Sequence, residues 1–109
     1  RGMSAEPGEI TVTTTVDRLI HEPARLAIMT NLFVVESANA TYLLQQTGLT
    51  WGNLGSHLVK LEEAGYVEVS KGYNGRKPES TVRLTELGRA ALLRYRERLL
   101  AALDPMASA

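Results

Sequence analysis

Tyr42-Leu43-Leu44-Gln45-Gln46-Thr47-Gly48-Leu49-Thr50-Trp51-Gly52-Asn53-Leu54-Gly55-Ser56-His57-Leu58-Val59-Lys60-Leu61-Glu62-Glu63-Ala64-Gly65 is the stretch that decides the fold. Tyr42, Leu43 and Leu44 lead a helix of about two turns that must stop at Gly48, because glycine readily takes the left-handed conformation that closes a helix. Thr50 is placed to cap the next helix, its hydroxyl accepting from a backbone N–H of the first turn. The buried face of that second helix is Leu54, Leu58 and Leu61, at steps of four and three, and Ala64-Gly65 ends it. Two short helices joined by a brief turn containing glycine are the sequence form of a helix-turn-helix.

Upstream, Val16, Leu19, Ile20, Leu26, Ile28, Met29, Leu32 and Phe33 recur at helical spacing, interrupted by Pro23. Proline suits the first turn of a helix and disrupts its interior, so the main helix is expected over about 23–36, after a short turn at 16–21, with Asn39 closing the segment. Residues 4–15 mix Ser, Glu, Pro, Gly and Thr without a helical period and read as an extended or mobile arm. Downstream, Tyr66-Val67-Glu68-Val69-Ser70 and Thr81-Val82-Arg83-Leu84 alternate apolar with polar, the period of strands. The polar segment from Gly72 to Ser80 between them is expected to be a loop, giving an antiparallel hairpin with a basic tip. Thr85 can cap a last helix from Glu86 to about Leu103, with Leu87, Ala91, Leu92, Tyr95, Leu99 and Leu103 as its apolar stripe and Pro105 beyond its end.

The expected fold is thus α+β and mostly helical: a winged helix-turn-helix with a two-stranded wing and a C-terminal helix. At 109 residues the chain suits one domain. That domain is expected over 16–103, with an arm over 1–15 and a tail over 104–109. Arg1-Gly2 ahead of Met3 reads as a remnant of expression cloning, which would put the native start at Met3. Hydrophobic residues at 44% and charged residues at 22% match a soluble globular protein. No apolar run reaches the roughly 20 residues that span a bilayer, and no secretion signal is visible. The lack of cysteine excludes disulfides and thiolate metal sites and fits a reducing compartment, so a cytoplasmic location without membrane contact is expected.

Twelve basic residues balance twelve acidic ones, but they are not evenly spread. Residues 1–70 carry four basic and eight acidic groups, whereas residues 71–98 carry eight basic and three acidic ones. A neutral total can hide a polyanion-binding face when its charges segregate in this way.

Leu19-Ile20-His21-Glu22-Pro23-Ala24-Arg25-Leu26-Ala27-Ile28, Leu49-Thr50-Trp51-Gly52-Asn53-Leu54, His57-Leu58 and Leu61-Glu62-Glu63-Ala64-Gly65-Tyr66-Val67 together resemble the winged-helix DNA-binding family of bacterial and archaeal regulators related to the MarR and ArsR groups. Gly75-Arg76-Lys77-Pro78 followed by Thr81-Val82-Arg83-Leu84-Thr85-Glu86-Leu87-Gly88-Arg89 carries the resemblance through the wing, so that it covers roughly residues 16–95. It implies a homodimeric transcription regulator, a repressor in the leading reading, that binds double-stranded operator DNA. Such dimers place paired recognition helices in successive major grooves, so the operator should be pseudo-palindromic.

With the leucines facing inward, Thr50, Trp51, Gly52, Asn53, Gly55, Ser56 and Lys60 lie on or near the free face of the recognition helix, about 50–64. Asn53 can pair with adenine, Ser56 with base edges or phosphate, and Lys60 with phosphate. Where Gly55 stands, the resembling family more often has a polar residue such as Ser. Arg76 and Lys77, in the wing at 72–80, can reach flanking phosphates or a minor groove. Trp51 has three open readings: a contact to backbone or thymine methyls, the wall of a pocket with Phe33, Met29 and Tyr42, or a plain anchor of the turn. The resemblance also leaves open a small-molecule effector between dimer helices and the DNA-binding lobe.

Val16, Leu19 and Ile20 with Leu92, Tyr95, Leu99 and Leu103 are the expected dimer contacts, because short domains with terminal amphipathic helices can bury such stripes against a second copy. Arg89, Arg94, Arg96 and Arg98 then form a solvated outer face of the last helix. The competing class is a winged helix used for protein–protein interaction without specific DNA binding, since fold alone does not settle function. His21 and His57, the only histidines, are too few for a metal site and read as structural hydrogen-bonding residues. No catalytic constellation or cofactor-binding motif can be assembled, and none is expected.

Overall fold

The computed structural model describes residues 16–107; the arm expected over 1–15 and the end of the tail lie outside the described residues. Helix α1 (Pro23–Val35) starts as its sequence requires. Pro23 occupies the first turn, and the carboxylate of Glu22 accepts from the backbone N–H of Arg25 at 2.8 Å. That bond is the main cause of the lowered Glu22 pKa. Ile28, Met29 and Leu32 form its buried face.

Strand β1 (Ser37–Asn39) follows, then α2 (Ala40–Thr47), capped by the Asn39 side chain and closed by Gly48 in the left-handed conformation. Helix α3 (Trp51–Glu63) starts at Thr50, whose hydroxyl accepts from Asn53 N–H at 3.1 Å, and buries Leu54, Leu58 and Leu61. Strands β2 (Val67–Asn74) and β3 (Lys77–Leu84) form the hairpin, and α4 (Glu86–Ala107) ends the described chain. The core gathers residues from every element but β1, whose Ala38 packs against it, and from the turn before α1; among them are Ile20, Ile28, Leu43, Leu54, Val82 and Tyr95.

Three expectations are corrected. The segment 72–80 is mostly strand: β2 and β3 pair antiparallel from Val67↔Leu84 out to Asn74↔Lys77, leaving only Gly75-Arg76 as the loop. Gly75, with φ of 66°, supplies the left-handed residue that such a two-residue turn needs. Pro78 is tolerated because β1 reaches only Thr81 to Arg83, so β3 is an edge where the proline lies. Second, the wing has its two strands as expected, but Ser37–Asn39, expected only to close the helical segment, forms β1 and joins them in a sheet of order β1-β3-β2. Third, α4 runs to Ala107 with Pro105 inside its last turn, and Leu87 and Leu103 of the expected apolar stripe are exposed.

One joint fixes α4 against the end of α3. The Thr85 hydroxyl donates to the Gly65 carbonyl at 2.6 Å and accepts from Gly88 N–H at 2.9 Å, while Thr85 N–H donates to the Tyr66 carbonyl at 3.0 Å. Gly88 lies so close to Tyr66 that a Cβ there would sit 2.1 Å from the carbonyl oxygen. The Tyr66 hydroxyl donates to Asp17, which also accepts from the N–H of Leu19 and thereby ties the turn before α1 to the same joint.

Candidate nucleic-acid interface

Burial of Leu54, Leu58 and Leu61 fixes the rotation of α3, so Trp51, Gly52, Asn53, Gly55, Ser56, Val59 and Lys60 are all exposed. Thr50 is exposed too, with its hydroxyl engaged in the cap. The helical period puts Gly52, Ser56 and Val59 along the line opposite the leucines, with Asn53 and Lys60 on one flank and Trp51 and Gly55 on the other. The rotation is held from behind by Arg25 of α1. Its Nε donates to the Leu19 carbonyl at 2.6 Å and its Nη1 lies 3.2 Å from Nδ1 of His57.

The flank bearing Trp51 meets the wing. A cleft of about 250 Å³ separates them, lined by Ala40, Thr41, Trp51, Lys71, Asn74 and Lys77 among others. The base of the wing is tied to α2 through Asn39, whose amide donates to Glu79 at 3.1 Å. Arg76 at the hairpin tip and Lys77 beside it are exposed, whereas Arg83 is engaged with Glu68 at 2.6 Å across the hairpin. Lys71 was not among the residues singled out from sequence. Its register partner Ser80 also lines the cleft, and this pairing is the signal that places Lys71 beside Trp51.

Trp51 does not share a pocket with Phe33, Met29 and Tyr42. Met29 is fully buried, and Phe33 lines a separate groove of about 390 Å³ between α1 and α4. The Arg89 guanidinium stacks over the Phe33 ring at 4.5 Å.

The residues expected at a dimer interface divide. Val16, Ile20, Leu92 and Tyr95 are buried in this chain's own core and leave little surface exposed, whereas Leu19 is partly buried against that core. Leu99 is partly buried and Leu103 is exposed. The large apolar side chains left exposed on α1 and α4 are Val34, Val35, Leu87, Leu93, Leu100, Leu103 and Met106. A helical stripe cannot say from sequence whether its own chain or another covers it.

His21 Nδ1 is hydrogen-bonded with the Tyr95 hydroxyl at 2.7 Å, so both histidines have structural partners. Among the described residues no group of three His, Cys, Asp or Glu could hold a metal ion, and no helix is long and apolar enough to cross a membrane.

Residues 24–103 match the family model of the winged helix DNA-binding domain. An uncharacterized protein of Methanocaldococcus jannaschii is 33% identical over 78 residues, which cover 72% of this chain and 85% of the relative. Among solved structures, a transcriptional regulator homologue from Pyrococcus horikoshii OT3 superposes with a TM-score of 0.81 at 28% identity, covering 93% of this chain and 98% of that one. The PcaV transcriptional regulator from Streptomyces coelicolor, solved with its natural ligand, gives a TM-score of 0.70 at 20% identity over 88% of this chain and 70% of its own, a likeness of fold.

Proposed function

The chain belongs to the winged helix DNA-binding domain family, and from that premise we propose that it is a sequence-specific, DNA-binding transcriptional regulator of the cytoplasm. In this reading two copies bind a pseudo-palindromic operator as a homodimer, each placing α3 in the major groove while Arg76 and Lys77 of the wing hold the flanking backbone or minor groove. Recognition helices a turn of DNA apart, about 34 Å, require such a symmetric site. Covering a promoter in this way excludes polymerase, so the leading sense of regulation is repression.

The observation that carries the proposal is the exposed face of α3, unoccupied by any other element among the described residues, with the cations of the wing beside it. The regulators to which the chain is similar in structure support the same reading. The second copy would meet the apolar surface of α1 and α4, where Val34 is 80% and Met106 70% exposed. The ligand complex of PcaV supports an effector as a further part of the proposal, with the α1–α4 groove as the space in which one could lie.

The test is binding to selected duplexes across a series of salt concentrations. Each phosphate contact contributes a slope of about −0.9 in log affinity against log salt, so Arg76→Ala with Lys77→Ala, which removes four cations from a homodimer, should make the slope shallower by about 3.6. Binding that is insensitive to salt, or a preference for no sequence at all, overturns the proposal.

A further inference from the structure

The outer face of α3 is unusual in what it lacks. Along the line opposite the leucines stand Gly52, Ser56 and Val59, and no side chain on that line before Glu63 is longer than valine. Hydrogen-bonding reach is confined to the flanks, at Asn53 and Lys60, with the hydroxyl of Ser56 in the centre. Against this sparse polar set stand two large apolar side chains in water: Trp51 is 63% exposed and Val59 54% exposed. Neither belongs to the core or packs against it, and leaving apolar area in water forgoes its burial.

Short side chains touch base edges only if the helix axis comes close. Gly52 and Gly55 provide for that approach, since a Cβ built at either would meet nothing within 4 Å and nothing in this chain's own packing requires glycine there. The surroundings are basic, with Lys60 on one flank and Lys71 and Lys77 in the cleft beside Trp51. A strip of short side chains with Lys60 on one side and Lys71 and Lys77 on the other complements a groove with phosphates on its rims and bases on its floor. On that floor only one group of unmodified DNA is apolar, the C5 methyl of thymine.

From these observations, and resting on the DNA-binding reading above, we infer that Val59 and Trp51 are specificity-determining residues that select thymine by contact with its C5 methyl group. The base preference of the site is therefore written partly in methyl groups and not only in hydrogen bonds.

Replacing thymine by deoxyuridine removes the methyl and leaves every hydrogen-bonding group of the base in place. A duplex selected from random DNA is therefore compared with versions carrying one deoxyuridine each, by fluorescence anisotropy at fixed salt. The expected result is a loss of about fourfold per contacted methyl at one or two thymines in each half-site, and no loss elsewhere. Val59→Ala should abolish the discrimination at one of these positions and Trp51→Ala at another, with each variant still binding the duplex and circular dichroism confirming the fold. Uniform affinity for all deoxyuridine duplexes overturns the inference and leaves DNA binding intact. Discrimination that persists in both variants overturns the assignment to Val59 and Trp51. Absence of any sequence-selective binding overturns the functional reading and the inference together.

Discussion

Two helices of this molecule carry glycine in or just beyond their first turns, for different reasons. In α4, Gly88 lies against the backbone of Tyr66, where a Cβ would fall 2.1 Å from the carbonyl oxygen. In α3, Gly52 and Gly55 face open space. Glycine inside a helix costs about 0.5–1 kcal/mol relative to alanine. At Gly88 the fold itself requires that concession, because the joint of Thr85, Gly65 and Tyr66 brings two backbones together. At Gly52 and Gly55 nothing inside the chain does, and on the DNA-binding reading proposed above the reason is the surface that α3 approaches.

The contrast breaks most sharply at the joint. Gly88→Ala should destabilise the protein by about 3 kcal/mol or more, because the obstacle is a backbone carbonyl and no side chain can swing away. Urea unfolding measures this directly. A loss under about 1 kcal/mol would mean that α4 shifts to admit the methyl and that the joint is not rigid.

The same substitution on α3 should have the reverse sign for stability. Gly52→Ala and Gly55→Ala are each expected to stabilise the fold by about 0.5–1 kcal/mol through helix propensity. Each should also lower the affinity for a selected duplex by about tenfold, because the added methyl holds the helix away from the base edges. Unfolding curves and anisotropy on the same samples decide the matter. Stabilisation without loss of affinity would show that these glycines serve no close approach.

The sequence revealed the elements whose causes are local. Thr50 as a cap, Gly48 as a stop and the leucine steps of α3 were all readable because each acts on residues within a turn or two of itself. Strand β1 was not readable. Ser37-Ala38-Asn39 has no alternation to announce it and becomes a strand only by pairing with Thr81 to Arg83. The outer wing was missed for a related reason. Its residues are almost all exposed, so no hydrophobic pattern marks strands that main-chain pairing alone extends to Asn74 and Lys77. Within the candidate interface, the face of α3 followed from its leucines, whereas Lys71 needed the register of the hairpin to place it beside Trp51. Leu92 and Tyr95 show the limit of periodicity: they mark an apolar face correctly, yet their own chain already covers it.

The joint also carries a titratable group, which gives a milder way to separate it from the open face of α3. Burial and the hydrogen bond to Asp17 push the Tyr66 hydroxyl up to about 12, with burial the larger cause. An unfolded tyrosine loses its proton near 10. Below that pH both states hold the proton and the contribution to stability is complete. Between about 10 and 12 the unfolded chain ionises first, so stability falls as pH rises, and the contribution is gone once the folded state ionises as well. Burial also raises the Tyr95 pKa, and this group acts in the same direction. Tyr66→Phe should therefore reduce the alkaline slope of stability without removing it. Gly52→Ala, remote from both phenols in function and free of titratable groups, should leave that slope unchanged. Unfolding midpoints recorded from pH 8 to 11 test the pair, and equal slopes in wild type and Tyr66→Phe would show that neither burial nor Asp17 holds the Tyr66 proton in the joint.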